Sequence, residues 1–278
     1  MARRSVLLAS LLFLLACGDP PAPDPDAGGL TDAGQVDAGP ADAGDAGTHE
    51  TDAGGSDDAS TDGGTDGGAP DAGPMVEGTI AGPCGDIDTE LLDPSPFLFE
   101  NEITFPVRLT EADLVHFTEG TRDVIAEGTV GGSSVYSEAI SFEVLARCEG
   151  ADLLASEPGI RYVDPGGSRT DLLVEIDGLR VGVSVTRAVA FPFADPYPLS
   201  SAQSLLTSKL EGIHESTANV APEDAWVKQI LHVIAYAPMH AEMFRMAWAT
   251  TPADVRGDTI LLVTVTNGED AFIYENEL

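Results

Sequence analysis

The most regular alternation of apolar and polar residues lies between Arg169 and Arg187 and reads "RTDLLVEIDGLRVGVSVTR". It predicts two antiparallel strands joined by a two-residue turn at Asp177-Gly178. Counting outward from the turn places Glu175 opposite Arg180, a pair of opposite charges, and puts the aliphatic residues on one face. The far end of the other face carries the polar residues Asp171, Ser184 and Thr186.

Helical spacing of apolar residues predicts three helices in the second half of the chain. The first covers 133–147 ("SSVYSEAISFEVLAR"), where the serines are candidate N-caps. The second covers 199–213 ("LSSAQSLLTSKLEGI") and is expected to end near Gly212. The third begins at Pro238 ("PMHAEMFRMAWATT"), because proline is favoured in the first turn of a helix.

Short apolar runs predict the remaining strands. They are "GIRYVD" at 159–164, "KQILHVIAY" at 228–236 and "TILLVTV" at 259–265. The run "AFIYE" at 271–275 is expected to pair with the last of these through a turn at Asn267-Gly268. Two earlier runs, "ITFPVRLT" and "RDVIAEGTV", also have the composition of short strands.

The resulting order is helix, three strands, helix, strand, helix, strand. Late alternation of helices and strands indicates parallel crossover units, while the hairpin is antiparallel. We therefore predict an α/β fold with a mixed central sheet, an antiparallel hairpin plus parallel crossover strands, flanked by helices. Residues 133–278 form this predicted domain, and residues 76–132 are an N-terminal extension of it.

The N-terminal sequence has the parts of an export signal. Two arginines precede an apolar run from Val6 to Ala16 that is too short for a permanent membrane span. The run ends in "LLAC", which resembles the bacterial lipobox. This resemblance implies a signal peptide at 1–16 and a palmitate-bearing lipid on Cys17, hence an exported lipoprotein held at a membrane, the outer membrane or cell surface. The alternative is an ordinary cleaved signal with a cysteine after it by chance.

Residues 17–75 are an Asp/Ala/Gly-rich acidic segment that repeats "DAG" and "DGG". Such a segment has too few large apolar residues to form a core, so it is predicted to be a disordered tether. The alternative is calcium binding by the Asp-Gly repeats. Their spacing is irregular and matches neither an EF-hand loop nor a calcium-binding β-roll.

Cysteine count and charge add two further expectations. The chain has 3 cysteines, and assigning Cys17 to the lipid leaves Cys84 and Cys148 for a disulfide in an oxidising compartment. The alternative is a pair of unbridged buried thiols. The net charge of −34 repels phosphate backbones, so binding of nucleic acid would require a local basic patch or divalent cations.

The hairpin and the order of elements resemble the PD-(D/E)XK, or restriction-endonuclease-like, nuclease superfamily. In that family an Asp on one strand lies beside an (Asp/Glu)-x-Lys triplet on the next strand. The carboxylates hold magnesium and the lysine helps to activate water. Asp171 matches the family Asp. Ser184 stands at the carboxylate position of the triplet and Thr186 at the lysine position, so the usual charges are missing.

Neighbouring elements offer replacements for the missing charges. Lys209 falls on the sheet-facing stripe of the 199–213 helix, so it is a candidate for the lysine role; the alternative is a lysine that extends its amine to water. Glu138 and Glu143 on the 133–147 helix are candidate metal ligands, against the alternative of a solvated helix face.

Two functional hypotheses follow. The first is a membrane-anchored lipoprotein whose nuclease-like domain does not cut, needs no cofactor and binds an unknown protein partner. The second is a Mg²⁺-dependent nuclease that uses Asp171, a helix Glu and Lys209, with nucleic acid as its partner. In either case Asp171, Ser184, Thr186 and Lys209 mark the catalytic position of the fold.

Overall fold

The fold is built around one seven-stranded mixed sheet. The computed structural model describes residues 75–129, 134–193 and 195–278. The predicted signal peptide at 1–16, Cys17 and almost all of the 17–75 tether lie outside the described residues, as does the predicted 132/133 domain boundary. In the described ranges, no helix has the length and apolar character needed to cross a membrane.

Helices and strands follow one another along the chain with few long connections. The strands are β1 (Thr79–Ala81), β2 (Phe97–Phe105), β3 (Asp152–Ser156), β4 (Leu172–Ile176), β5 (Leu179–Ala188), β6 (Lys228–Ala235) and β7 (Ile260–Gly268). The helices are α1 (Glu119–Glu127), α2 (Val135–Glu149), α3 (Leu199–Asn219), α4 (Pro238–Thr250), α5 (Ala253–Arg256) and α6 (Ala271–Glu275). Three short 3₁₀ turns complete the set: Thr89–Leu91, Glu111–His116 and Glu157–Gly159.

The sheet has the strand order β1-β2-β7-β6-β5-β4-β3. Strands β3, β4 and β5 form an antiparallel meander, and β6 lies parallel to β5. Strands β6, β7 and β2 continue the sheet in parallel, with β1 antiparallel at the edge. This confirms the predicted α/β class. The order α2, meander, α3, β6 is also the order that the nuclease resemblance implies.

The predicted hairpin is confirmed in its turn and its register. Asp177 and Gly178 both have positive φ, 51° and 76°, as a two-residue type I′ turn requires. Glu175 lies opposite Arg180, and Leu172 lies opposite Val183. The register therefore follows from the turn and from burial of one aliphatic face.

Residues before α2 belong to the same sheet, because β2 pairs along its whole length with β7. The disulfide between Cys84 and Cys148 is present and ties this segment to the last turn of α2, as predicted. Beside it, the Glu149 carboxylate accepts hydrogen bonds from the backbone N–H groups of Gly85 and Ile87, both at 3.0 Å. The extension is thus joined to the core covalently and by hydrogen bonds.

Four predictions about local structure were wrong. The third strand of the meander is β3 (152–156), whereas 159–164 contributes only an isolated bridge between Tyr162 and Val220. The run at 122–130 belongs largely to α1, and 271–275 forms α6 instead of a strand. Finally, α3 continues past Gly212 to Asn219, because burial of Ile213 and Ser216 extends its packed face by two turns.

Helices cover both faces of the sheet. The face under α2, α1 and α6 packs Leu172, Val183, Ile230 and Leu262 against the buried side of α2. The opposite face packs the stripe Ala202, Leu206, Leu210 and Ile213 of α3, together with α4, against the other side of the same strands. Both faces of the central strands are therefore buried, which explains their nearly continuous apolar sequences.

A chain of buried polar side chains crosses the face beneath α2. Ser141 Oγ lies 2.8 Å from His232 Nδ1, His232 Nε2 lies 2.7 Å from Thr264 Oγ1, and Thr264 Oγ1 donates to Asn101 Oδ1 at 2.6 Å. The Thr264 hydroxyl donates its hydrogen to Asn101, so its oxygen accepts the hydrogen bond from His232 Nε2–H. His232 Nδ1 is then the acceptor for Ser141. Burial lowers the pKa of His232 to about 3, so the imidazole is neutral.

Candidate functional site

The candidate site lies just before the first residue of β4, where β5 continues beyond its pairing with that strand. Strand β4 starts at Leu172, whereas β5 extends to Ala188, so the next backbone groups of β5 have no partner strand on that side. Asp171 Oδ2 accepts the N–H of Val185 at 2.6 Å and the hydroxyl of Ser184 at 3.3 Å. Lys209 Nζ donates to the carbonyl oxygen of Val185 at 2.9 Å. The side chains of Asp171 and Lys209 thus bind the backbone N–H and C=O of Val185, respectively.

Lys209 reaches this point from α3. The helix packs Leu206 and Leu210 fully against the sheet, and Lys209 beside them is half-buried with its amine on β5. The lysine therefore does not extend its amine away from the protein. Its sequence position on the sheet-facing stripe of α3 was the signal for this placement.

Glu138 lies in the first turn of α2 and is only 3% exposed. Its Oε1 accepts a hydrogen bond from Ser134 Oγ at 2.6 Å, while Oε2 is buried and has no hydrogen-bond partner among the residues that the structure describes. Burial, and to a lesser extent the charge of Asp171, raises the pKa of Glu138 to about 7. Ser134 and Lys209 oppose the rise, so Glu138, Asp171 and Lys209 share one electrostatic environment.

The pKa of Asp171 is also raised, chiefly by burial. The charge of Lys209 and the hydrogen bond from Val185 oppose this rise, and the charge of Glu157 adds to it. Glu157 lies in the turn after β3 and raises the pKa of Glu138 as well. Glu157 could not be identified from the sequence, because it lies in the turn after β3 and has no spacing relationship to Asp171 or Glu138.

Glu143 is placed apart from this group. Its Oε2 accepts from the Thr118 N–H at 3.0 Å, the Thr118 hydroxyl at 2.8 Å and the Thr121 hydroxyl at 2.6 Å. These bonds hold the first turn of α1, and Arg147 lies 3.9 Å from the other oxygen. Glu143 therefore serves the packing of α1 on α2 and is not brought to Asp171.

Ser184 and Thr186 lie on the same side of β5, two residues apart. Ser184 is 6% exposed and supports Asp171 through its hydroxyl. Thr186 is half-buried further along the strand. Neither hydroxyl supplies the negative charge that a hard cation requires, so carboxylates for a metal must come from Asp171 and Glu138.

One feature of these two carboxylates is suited to a divalent cation, namely the buried Oε2 of Glu138. Glu138 Oε2 is an orphaned buried acceptor, and an anionic oxygen in that position is costly unless a cation or proton meets it. Magnesium is commonly held by one or two carboxylates together with water and substrate phosphate. Across the described ranges, no group of three or more His, Cys, Asp or Glu side chains is arranged to hold a metal ion.

Comparison with known proteins leaves the family open. No family model matches this chain. It is 35% identical over 162 residues to the AAC-rich mRNA clone AAC4 protein of Dictyostelium discoideum, a match that covers 56% of this chain and 24% of that protein. The chain thus spans about a quarter of the length of that relative.

Among solved structures, the chain is similar to SfsA of Pyrococcus furiosus, determined in complex with Ca²⁺. The identity is 16%, the TM-score is 0.25, and the match covers 48% of this chain and 55% of that one. At this TM-score the likeness carries no argument about fold or function. The case for function therefore depends on the residues of the site.

Proposed function

We propose that this chain is a divalent-metal-dependent nuclease whose catalytic group is Asp171, Glu138 and Lys209. The proposal is supported by the contacts of Asp171 and Lys209 with Val185, at 2.6 and 2.9 Å, and by the effect of both charges on the pKa of the buried Glu138 on α2. A residue set of two carboxylates and one lysine is what the nuclease resemblance requires. In this chain Glu138 and Lys209 would replace the carboxylate and lysine that Ser184 and Thr186 do not provide.

Each side chain has a role that follows from its contacts. Asp171 uses Oδ2 for Val185 and Ser184, which fixes the carboxylate and leaves Oδ1 for a cation. Glu138 would bind the same cation through Oε2. A bound Mg²⁺ lowers the pKa of its water and offsets charge on a phosphate. Lys209 would stabilise the negative charge that develops on the phosphoryl oxygens as water attacks phosphorus.

The test is cleavage by the purified full chain with Mg²⁺ or Mn²⁺, using single- and double-stranded DNA and RNA as substrates. Asp171→Asn, Glu138→Gln and Lys209→Met should each reduce the rate by roughly 100-fold, because each removes a charge from the group. Asp171→Asn keeps an oxygen to accept the Val185 N–H, so its fold should be intact.

The matched control is Glu175→Gln. Glu175 is a carboxylate on the same hairpin, opposite Arg180 and outside the group. Its variant should cut at the wild-type rate. If wild-type protein cuts nothing and neither metal raises its melting temperature, the nuclease proposal fails.

A second candidate function is a non-catalytic interaction module. It is favoured by the hydroxyls of Ser184 and Thr186 at the triplet positions and by the use of Lys209 as a donor to the β5 backbone. In that case Asp171 and Lys209 would stabilise a sheet edge, and partner binding would be unchanged in Asp171→Asn. Loss of cleavage in that variant would exclude this candidate.

We further propose that the protein acts outside the cytoplasm, held at a bacterial membrane through lipid on Cys17. The lipobox-like sequence and the presence of the Cys84–Cys148 disulfide, a bond typical of oxidising compartments, support this. Metabolic labelling with palmitate should mark the wild-type chain and leave Cys17→Ser unlabelled. Labelling of Cys17→Ser would contradict the anchor.

A further inference from the structure

A nuclease of this composition has to overcome its own charge. The net charge of −34 repels a phosphate backbone, and the two carboxylates of the site add to that repulsion locally. A substrate phosphate therefore needs cationic or hydrogen-bond donor groups close to Asp171. Lys209 is one such group, and the residues just before Asp171 supply others.

Arg169 is two residues from Asp171 on the exposed approach to β4. Its guanidinium lies 6.0 Å from the centre of the Tyr162 ring, and one Nη donates to the carbonyl of Pro165 at 2.9 Å. Within the described ranges, no carboxylate forms an ion pair with it, in contrast to Arg147, Arg161 and Arg245. Arg169 is exposed, and the remaining N–H groups of its guanidinium can donate to a phosphate.

Tyr162 connects this arginine to the site. Its phenolic oxygen accepts the backbone N–H of Thr170 at 2.7 Å, and the Thr170 side chain also lies within hydrogen-bonding reach of the phenol. The pKa of Tyr162 is raised mainly by burial and also by the charge of Asp171, while Arg169 opposes the rise. The phenol therefore keeps its proton at neutral pH and is close to both charged side chains.

We propose that Arg169 and Tyr162 form a phosphate-binding pair that holds a nucleic-acid backbone against the Asp171 carboxylate. Arg169 supplies two parallel N–H donors and a positive charge, and Tyr162 supplies one O–H donor from a half-buried, fixed ring. The pair supplies the local positive charge that the overall composition lacks. This inference depends on the proposed nuclease function for its substrate class.

The test measures binding apart from cleavage. A short fluorescein-labelled DNA strand is titrated with the full chain, first in EDTA and then with Ca²⁺, and anisotropy is followed over a range of NaCl concentrations. Arg169→Gln should weaken binding by about tenfold, because a charged hydrogen-bonded contact is lost. It should also reduce the slope of log K against log salt by about one. Tyr162→Phe should weaken binding by about threefold.

The matched control is Arg161→Gln, which removes the same charge eight residues away. Arg161 is paired with Asp224 at 2.7 Å and should contribute nothing to phosphate binding. Equal losses in the Arg161 and Arg169 variants would show a general charge effect and overturn the pair. Absence of binding by the wild-type chain in both buffers would overturn it as well.

The outcomes separate this inference from the nuclease proposal. If the wild-type chain binds DNA through Arg169 but does not cut it, the nuclease proposal fails and the phosphate-binding pair stands. If the chain cuts DNA and Arg169→Gln cuts with an unchanged KM, the pair is wrong and the nuclease proposal stands. Melting temperatures of all variants, expected within a few degrees of wild type, show that the fold is retained.

Discussion

The buried His232 should make the protein lose stability as the pH falls, and its contacts set the size of the loss. Its imidazole is fully buried, donates to Thr264 and accepts from Ser141, so neither nitrogen can take a further proton without breaking a bond. Burial lowers its pKa from 6.5 to about 3. The unfolded chain therefore binds a proton below pH 6.5, and the folded chain does not until near pH 3.

The sign and magnitude follow from this difference in protonation. The contribution of the neutral His232 to the free energy of unfolding is fully present above pH 6.5. Below that pH it decreases by about 1.4 kcal/mol per pH unit, so roughly 3 kcal/mol is lost at pH 4.5. Glu138 acts in the opposite sense. Its folded pKa of about 7 exceeds its ordinary 4.5, so it destabilises the folded state above pH 7 and this cost disappears as the pH falls toward 4.5.

The assay is urea unfolding of wild type and His232→Gln between pH 4.5 and 7.5. Glutamine does not titrate, and Glu138 is present in both proteins, so its contribution cancels in the difference. The wild-type free energy of unfolding, relative to that of the variant, should fall by roughly 3 kcal/mol across this range. A difference that does not change with pH would refute the assignment of a neutral His232 whose pKa is lowered in the folded protein.

Two further predictions concern packing and the disulfide. Gly120→Ala should lower stability by about 1–3 kcal/mol in urea unfolding, because the added Cβ would lie 2.3 Å from a ring carbon of Phe142 in the contact between α1 and α2; Gly212→Ala, where nothing lies within 4 Å of the new Cβ, is the control and should not lose stability. Replacing Cys84 and Cys148 together by alanine should cost about 4 kcal/mol, from the entropy of a loop that spans 64 residues, and a loss below 1 kcal/mol would contradict that account.

The hairpin could be predicted from sequence because its information is local. An alternating run and an Asp-Gly turn determine the register of β4 and β5, and this register places Leu172, Val174 and Val183 together in the core beneath α2. The composition of β6 and β7 was equally informative, since strands buried on both faces are apolar throughout.

The elements that were predicted wrongly depend on tertiary contacts. Segment 271–275 is rich in strand-forming residues, yet it forms a single helical turn because Phe272, Ile273 and Tyr274 are all buried against the α2 side of the sheet. Strand β3 lies at the sheet edge and its alternation is weak, so its pairing with β4 decides its structure. Propensity is a weak guide in both cases.

In the candidate site, too, some positions follow from local sequence patterns and others depend on tertiary contacts. The position of Lys209 could be inferred from the spacing of apolar residues on α3, which is a property of one helix. Glu138 and Glu143 could not be distinguished in this way, since both are buried and the difference lies in what α1 and β4 place beside them. The contributions of Glu157 and Tyr162 depend on the path of the loop between β3 and β4, which no local pattern specifies.

Because β4 is short, Asp171 and Lys209 also have a structural role at the edge of β5. Because they bind the N–H and C=O of Val185 where a neighbouring strand would, substituting either one leaves a stretch of β5 open to pairing with another chain. Selection against aggregation would then preserve this aspartate and lysine independently of any catalytic role. Under the nuclease proposal, their presence in a related sequence is therefore not a reliable marker of catalysis, whereas Glu138, whose Oε2 has no hydrogen-bond partner within the described ranges, is the more informative residue to follow.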